Sequence, residues 1–122
     1  MENPALFCSA SLGQCDPDHY SRRYRGTADG GGVHHNSAIA NQAFYLLAQG
    51  GVNRTSGRRV EGLGAGGREK AERFFYRAFT AYLTPSATFR DARAATIRAA
   101  RDLSGEADAA QVASAWSAVG VE

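Results

Sequence analysis

The feature that most limits what this chain can become is the stretch Asp29 to Gln49, DGGGVHHNSAIANQAFYLLAQ, where three consecutive glycines run directly into an apolar periodic segment. Glycine adopts positive φ about as readily as negative φ, so Gly30, Gly31 and Gly32 let the backbone fold back on itself. Asp29 and His34, a carboxylate and an imidazole five residues apart, stand on either side of that bend and can come within hydrogen-bonding reach. Asn36 or Ser37 is the expected cap of the next helix, because a short polar side chain there accepts from an otherwise unpaired helix amide. His34 and His35 would then stand at the helix mouth.

The helix is expected over residues 36–49, with Ile39, Ala43, Leu46 and Leu47 on one side and Gly50 as its stop. Phe44 and Tyr45 make its other faces apolar as well, as in a central helix. Residues 50–67 are glycine-rich and read as a loop in which Val60 to Leu63 pack locally. Over 68–83 the stripe Ala71, Phe74, Phe75, Ala78, Phe79 and Tyr82 faces a core, with Lys70, Arg73 and Arg77 opposite; Thr84-Pro85 ends it. Thr88 with Asp91 has the pattern of a capped helix start. The helix it begins is expected to bury Phe89, Ala92, Thr96, Ala99 and Leu103 and to expose Arg90, Arg93, Arg98 and Arg101 as a solvated face. A last helix over 108–118 offers Val112, Trp116 and Val119, and Gly120 closes it. Residues 1–33 are turn-rich and hold no lasting period. The expected fold is all-α: one domain, 1–122, in which an irregular segment (1–33) precedes a bundle (34–122) of about four to five helices.

A formal charge of +2 with 21% charged residues is too balanced to require a nucleic acid or an anionic membrane. Arg22 and Arg23 lie between Tyr20 and Tyr24, but two arginines make no binding face; packed tyrosines with solvated arginines are expected. No apolar run approaches the roughly 18 to 20 residues of a membrane span, and the opening MENPALF has neither the basic start nor the apolar run of a secretion signal.

GTADGGGVHHNSAIANQAFYLLAQGG resembles the stretch G-T-x-D-N-G-G-V-H-x-N-S-x-I-x-N-x-A of thermolysin-like zinc metalloendopeptidases. DPDHYSRRYRGT before it, GREKAERFFYRAFTAYLTPSATFRDARAATIRAARDLSG after it and the closing AWSAVGV are similar to the same family's C-terminal lobe, so the resemblance runs from Met1 to Val121. It implies a thermolysin-like helical C-terminal lobe of a secreted endopeptidase, with protein or peptide substrates and the N-terminal lobe of the same protein as its partner. His34 matches the family's histidine that donates to the tetrahedral intermediate, and Asp29 the carboxylate that holds that imidazole. Gly31, Gly32 and Val33 match the loop at the substrate cleft. Where the family usually has Asn after the aspartate, this chain has Gly30.

The family's HExxH helix, which supplies two zinc ligands and the glutamate base, is absent here. Zinc, and any calcium, would therefore belong to the full-length parent, with no metal ligand in this chain, and the chain alone would be inactive. His35 falls at a variable position and is expected at the surface. His19 is expected to pack or bond within its own turn. Cys8 and Cys15 are the only cysteines; in a secreted protein they are most simply a local disulfide, and two free thiols are the other reading. A bridge closing a loop of about eight residues would contribute about 2.5 kcal/mol in the chain-entropy account. FCSASLGQC then looks like an insertion pinned by its own bridge. A reading from another class is a stand-alone helical module that binds protein surfaces or associates with itself through the apolar side that a second lobe would cover.

Overall fold

Apolar stripes at helical spacing have only one another to bury against, and that decides the architecture. The computed structural model describes residues 2–122, so Met1 of the expected domain lies outside the described residues. Four helices carry the core: α1 (Asp29–Gln49), α2 (Gly67–Arg77), α3 (Phe89–Ser104) and α4 (Glu106–Ala118). The fold is all-α apart from two small antiparallel pairs, β1 (Cys8–Ser9) with β2 (Gln14–Cys15) and β3 (Gly51–Val52) with β4 (Arg59–Val60). Among the described residues no helix is long and apolar enough to cross a membrane.

α1 is the central element. Ile39, Ala43, Leu46 and Leu47 are buried as the period requires, and the helix stops where Gly50 takes φ 72° and donates its amide to Leu46. Alanines dominate the facing surfaces of α3 and α4, which lets those helices approach closely around Trp116. The indole is fully buried and donates from Nε1 to Thr96 Oγ1 at 2.8 Å, while the threonine hydroxyl donates to the carbonyl of Ala92. The pair satisfies the one polar atom of the largest core side chain. Val60 and Leu63 are buried in this same core, so the loop after α1 is pinned to it.

Two apolar stripes differ from expectation. Ala71, Phe74 and Ala78 are buried, but Phe79 is 48% exposed. The helical ladder widens over Ala78–Tyr82 to i→i−5 bonding, seen in the amide of Leu83 donating to Ala78, and such a π-turn rotates the succeeding residues out of the stripe. Leu103 is also 48% exposed, with Ala95 and Ala100 taking the core positions on α3. The Thr88–Asp91 capping box forms in both directions and holds the Asp91 carboxyl below its ordinary pKa, chiefly through the Thr88 amide. Arg93 is not part of a solvated face. Its guanidinium donates to the carbonyls of Ala113 and Val121 and to Ser117 Oγ, tying the chain end to α4.

The irregular N-terminal segment is held by buried polar groups. Asp18 accepts from Thr55 Oγ1 at 2.6 Å, its carbonyl accepts from Asn53, and the Tyr20 amide donates to Val119. His19 caps its own turn by accepting from the Ser21 amide, and burial lowers its pKa. Arg23 lies over the Tyr20 ring, 4.0 Å from its centroid.

Candidate active site

Three glycines in a row with φ of 58°, 91° and 78° make a left-handed turn, and Asp29 joins them at φ 52°. This turn leads straight into the right-handed part of α1. The helix therefore begins earlier than residue 36, and the His34 amide in its first turn is met by Asp29. The carboxylate accepts from the His34 amide at 2.9 Å through Oδ2 and pairs with His34 Nδ1 at 2.7 Å through Oδ1. One side chain caps the helix and holds the imidazole. Asn36 and Ser37 are inside the helix and bond elsewhere. Ser37 donates to the His34 carbonyl. Asn36 accepts from the Tyr24 amide at 2.8 Å and donates to the carbonyls of Tyr24 and Gly31. The Tyr24 segment thus backs the turn, and its ring lies against Gly32, where an added Cβ would fall 2.6 Å from it. Gly32 is buried for that reason; Gly31 has open space around its α-carbon.

His34 is 89% exposed, whereas the Asp29 side chain is 28% exposed. The hydrogen bond to Asp29, and then its charge, raise the His34 pKa above 6.5. The same hydrogen bond, joined by that from the His34 amide, lowers the Asp29 pKa. The arrangement therefore favours an imidazolium whose Nδ1 proton is engaged and whose Nε2 has no partner among the described residues. A preorganised cationic donor of this kind can stabilise an oxyanion. On one side of it lies an apolar recess of about 400 Å³ lined by Gly31, Val33, Ala40, Phe79, Leu83 and Phe89. On the other lies a recess of mixed polarity, about 310 Å³, lined by Ser9, Ser11, Leu12, Asp16, Asp29, His34 and His35.

His35 is not a surface residue. It is buried, with Nε2 bonded to the Gln14 side-chain amide at 2.9 Å and Nδ1 2.8 Å from Asp16 Oδ1, a close contact that is not an aligned hydrogen bond. The signal for this was present in the sequence. Counting back one turn from Ile39 along the stripe 46, 42, 39 reaches residue 35. Cys8 and Cys15 are joined in a disulfide that closes the β1–β2 hairpin.

The donor set does not fit a zinc ion. Asp29 and His34 are committed to each other and His35 to the hairpin, and among the described residues no three His, Cys, Asp or Glu side chains are placed to hold a metal ion together.

Residues 1–121 match the thermolysin metallopeptidase, alpha-helical domain family. The chain is 52% identical over 108 residues to the thermostable neutral protease NprT of Geobacillus stearothermophilus, covering 87% of this chain and 19% of that protein. It is 52% identical over 110 residues to neutral protease B of Bacillus subtilis, covering 88% of this chain and 20% of that one. The solved precursor of protealysin, a metalloproteinase from Serratia proteamaculans, superposes with a TM-score of 0.74 at 28% identity, over 99% of this chain and 35% of that one. The chain thus spans about a fifth of the length of these sequence relatives. With this chain matched almost end to end by the family, it belongs to the thermolysin metallopeptidases as their alpha-helical domain.

Proposed function

We propose that this chain is the C-terminal wall of the cleft in a secreted zinc endopeptidase, and that His34 is its contribution to peptide-bond hydrolysis. The observation that carries the reading is the doubly held imidazole: ring and backbone amide of His34 both grip Asp29, and Nε2 stays open to the solvent. When a peptide carbonyl is attacked, negative charge grows on its oxygen. An imidazolium donor already aimed at that oxygen lowers the barrier without reorganising, and one such donor is typically worth about 100- to 1000-fold in rate. Asp29 keeps the proton inventory right, because its charge favours the protonated ring and its grip on Nδ1 leaves Nε2–H as the donor. Gly31, Gly32 and Val33 form the cleft edge through which a substrate backbone approaches.

The nucleophile and the zinc belong, on this reading, to an N-terminal lobe that is not in this chain, so the chain alone cleaves nothing. In the full-length protein His34→Ala should lower kcat by about 100- to 1000-fold while zinc content stays unchanged. Undiminished turnover would refute the role.

A second reading rests on the apolar recess, whose Val33 and Phe79 are about half exposed. In the first reading the N-terminal lobe covers it; in the second, a copy of the chain or another protein does, without catalysis. Light scattering over a concentration series separates them. A strict monomer argues for the first.

A further inference from the structure

The Cys8–Cys15 hairpin takes no part in the chemistry at His34, yet a buried side chain fastens it there. His35 comes directly after His34 in α1, and its two ring nitrogens meet Gln14 at 2.9 Å and Asp16 at 2.8 Å. Those residues flank Cys15, which is bonded to Cys8. A buried imidazole needs partners for its nitrogens, and the one hydrogen bond this ring makes, through Nε2 to Gln14, is to the strand that carries Cys15. The hairpin's other residues, Ser9, Ser11 and Leu12, wall a recess whose opposite side is Asp29 and His34.

We propose that His35 is a positioning residue that seats the disulfide-closed hairpin as a peptide-binding wall beside His34. The inference rests on His34 marking where the scissile carbonyl lies. Successive residues of an extended chain advance by about 3.3 to 3.6 Å each, so a peptide whose carbonyl meets His34 carries its next one or two residues past this wall. Peptide N–H and C=O groups that leave water must find partners. Ser9 and Ser11, whose hydroxyl oxygens lie 2.9 Å apart, can both donate and accept. Leu12 adds an apolar contact.

The test uses the full-length protein in its wild-type form and as His35→Leu, His35→Gln, His34→Ala and the double variant Cys8→Ser/Cys15→Ser. Each is assayed on a blocked dipeptide that spans only the scissile bond and on a hexapeptide extended at both ends. His35→Leu and the double variant should raise KM for the hexapeptide about three- to tenfold, the worth of one or two hydrogen bonds to the peptide. For the dipeptide, KM and kcat should stay within about twofold of wild type. His35→Gln, which can meet Gln14 where Nε2 did, should recover part of the hexapeptide KM. If His35→Leu fails to fold, the double variant, which keeps His35, decides the matter alone. An unmoved hexapeptide KM, or an equal fall in kcat on both substrates, overturns the hairpin's role. His34→Ala separates the two claims: full turnover in that variant defeats the reading of His34 and this inference with it. A collapse there with an unmoved hexapeptide KM defeats the hairpin's role only.

Discussion

Asn36→Ala asks whether the left-handed turn is held from behind. The Asn36 amide makes three hydrogen bonds, to the Tyr24 amide at 2.8 Å, to the Tyr24 carbonyl at 3.1 Å and to the Gly31 carbonyl at 3.2 Å. The first two are partly buried, and the third is exposed, so the Gly31 carbonyl regains water when the amide is removed. At about 0.5 to 1.5 kcal/mol per bond, with the exposed one at the bottom of that range, the loss comes to about 2 kcal/mol. In a domain of this size that lowers Tm by about 6 to 10 °C. The second effect is local. Three glycines have no side chains to fix their φ, so once Gly31 and Tyr24 are released the turn explores other conformations and Asp29 loses its alignment on His34. The His34 pKa should then fall back toward 6.5. Asn36→Asp should be at least as damaging, because it keeps the acceptor but turns a carboxylate toward two carbonyls. Thermal unfolding followed by circular dichroism reads the first effect, and an NMR titration of the His34 ring protons reads the second. A melt within about 2 °C of wild type would refute the stability argument. A lowered melt with an unmoved His34 titration would show that Asp29 and the glycines hold the turn unaided.

The Asp29–His34 pair also dictates a pH dependence. His34 is raised above 6.5, so its part of the stability is fully present below 6.5 and is lost as pH rises through the raised folded value. Asp29 is lowered below 3.8, so its part is present above 3.8 and is lost as pH falls through the lowered folded value. Asp29→Asn should return the His34 titration to the neighbourhood of 6.5, measured by NMR; no downward movement would contradict the pairing. Thr96→Val leaves the buried Trp116 Nε1–H unpaired and should cost about 1 to 3 kcal/mol in urea unfolding, and a loss under about 0.5 kcal/mol would show the bond to be idle. Leu103→Ser should stay within about 0.5 kcal/mol of wild type, because the side chain is half exposed.

The helices were legible where burial alone decides position. Ile39, Ala43, Leu46 and Leu47 repeat at helical spacing, Gly50 punctuates their end, and Thr88 with Asp91 announces the start of α3 in local chemistry. The pairing of Asp29 with His34 was legible for the same reason, since a glycine bend confines which neighbours can meet. What escaped depends on partners distant in sequence. Arg93 reads as a solvated residue until the carbonyls of Ala113 and Val121 are brought beside it. His35 reads as variable until the hairpin supplies Gln14 and Asp16. The π-turn that exposes Phe79 has no local signature in AFTAY. The start of α1 is hidden in the sequence because a glycine triplet reads as a loop, whereas φ of one sign over four residues is a turn that a helix can continue from.

Gly30, the departure from the family pattern, can be judged from its backbone. Its φ of 58° and ψ of 29° lie in the left-handed region, which asparagine tolerates best among residues with a side chain. A Cβ there would meet only the Val33 methyls, at 3.9 and 4.0 Å, which is ordinary contact. Gly30→Asn therefore fits, and it removes conformational freedom from the unfolded chain, which at compatible sites is worth about 0.4 to 1 kcal/mol. Some of that is offset by the left-handed backbone, so the net gain should be about 0.5 kcal/mol, or roughly 2 °C in Tm. Gly30→Ala fills the same space without asparagine's tolerance of positive φ and should melt below wild type, about 1 kcal/mol less stable than the asparagine variant. The His34 titration should be unchanged in Gly30→Asn, because neither Asp29 nor Asn36 has to move. If alanine and asparagine prove equal, the left-handed backbone is not what selects the residue at position 30. The turn would then be held by Asp29 and Asn36 whatever stands between them.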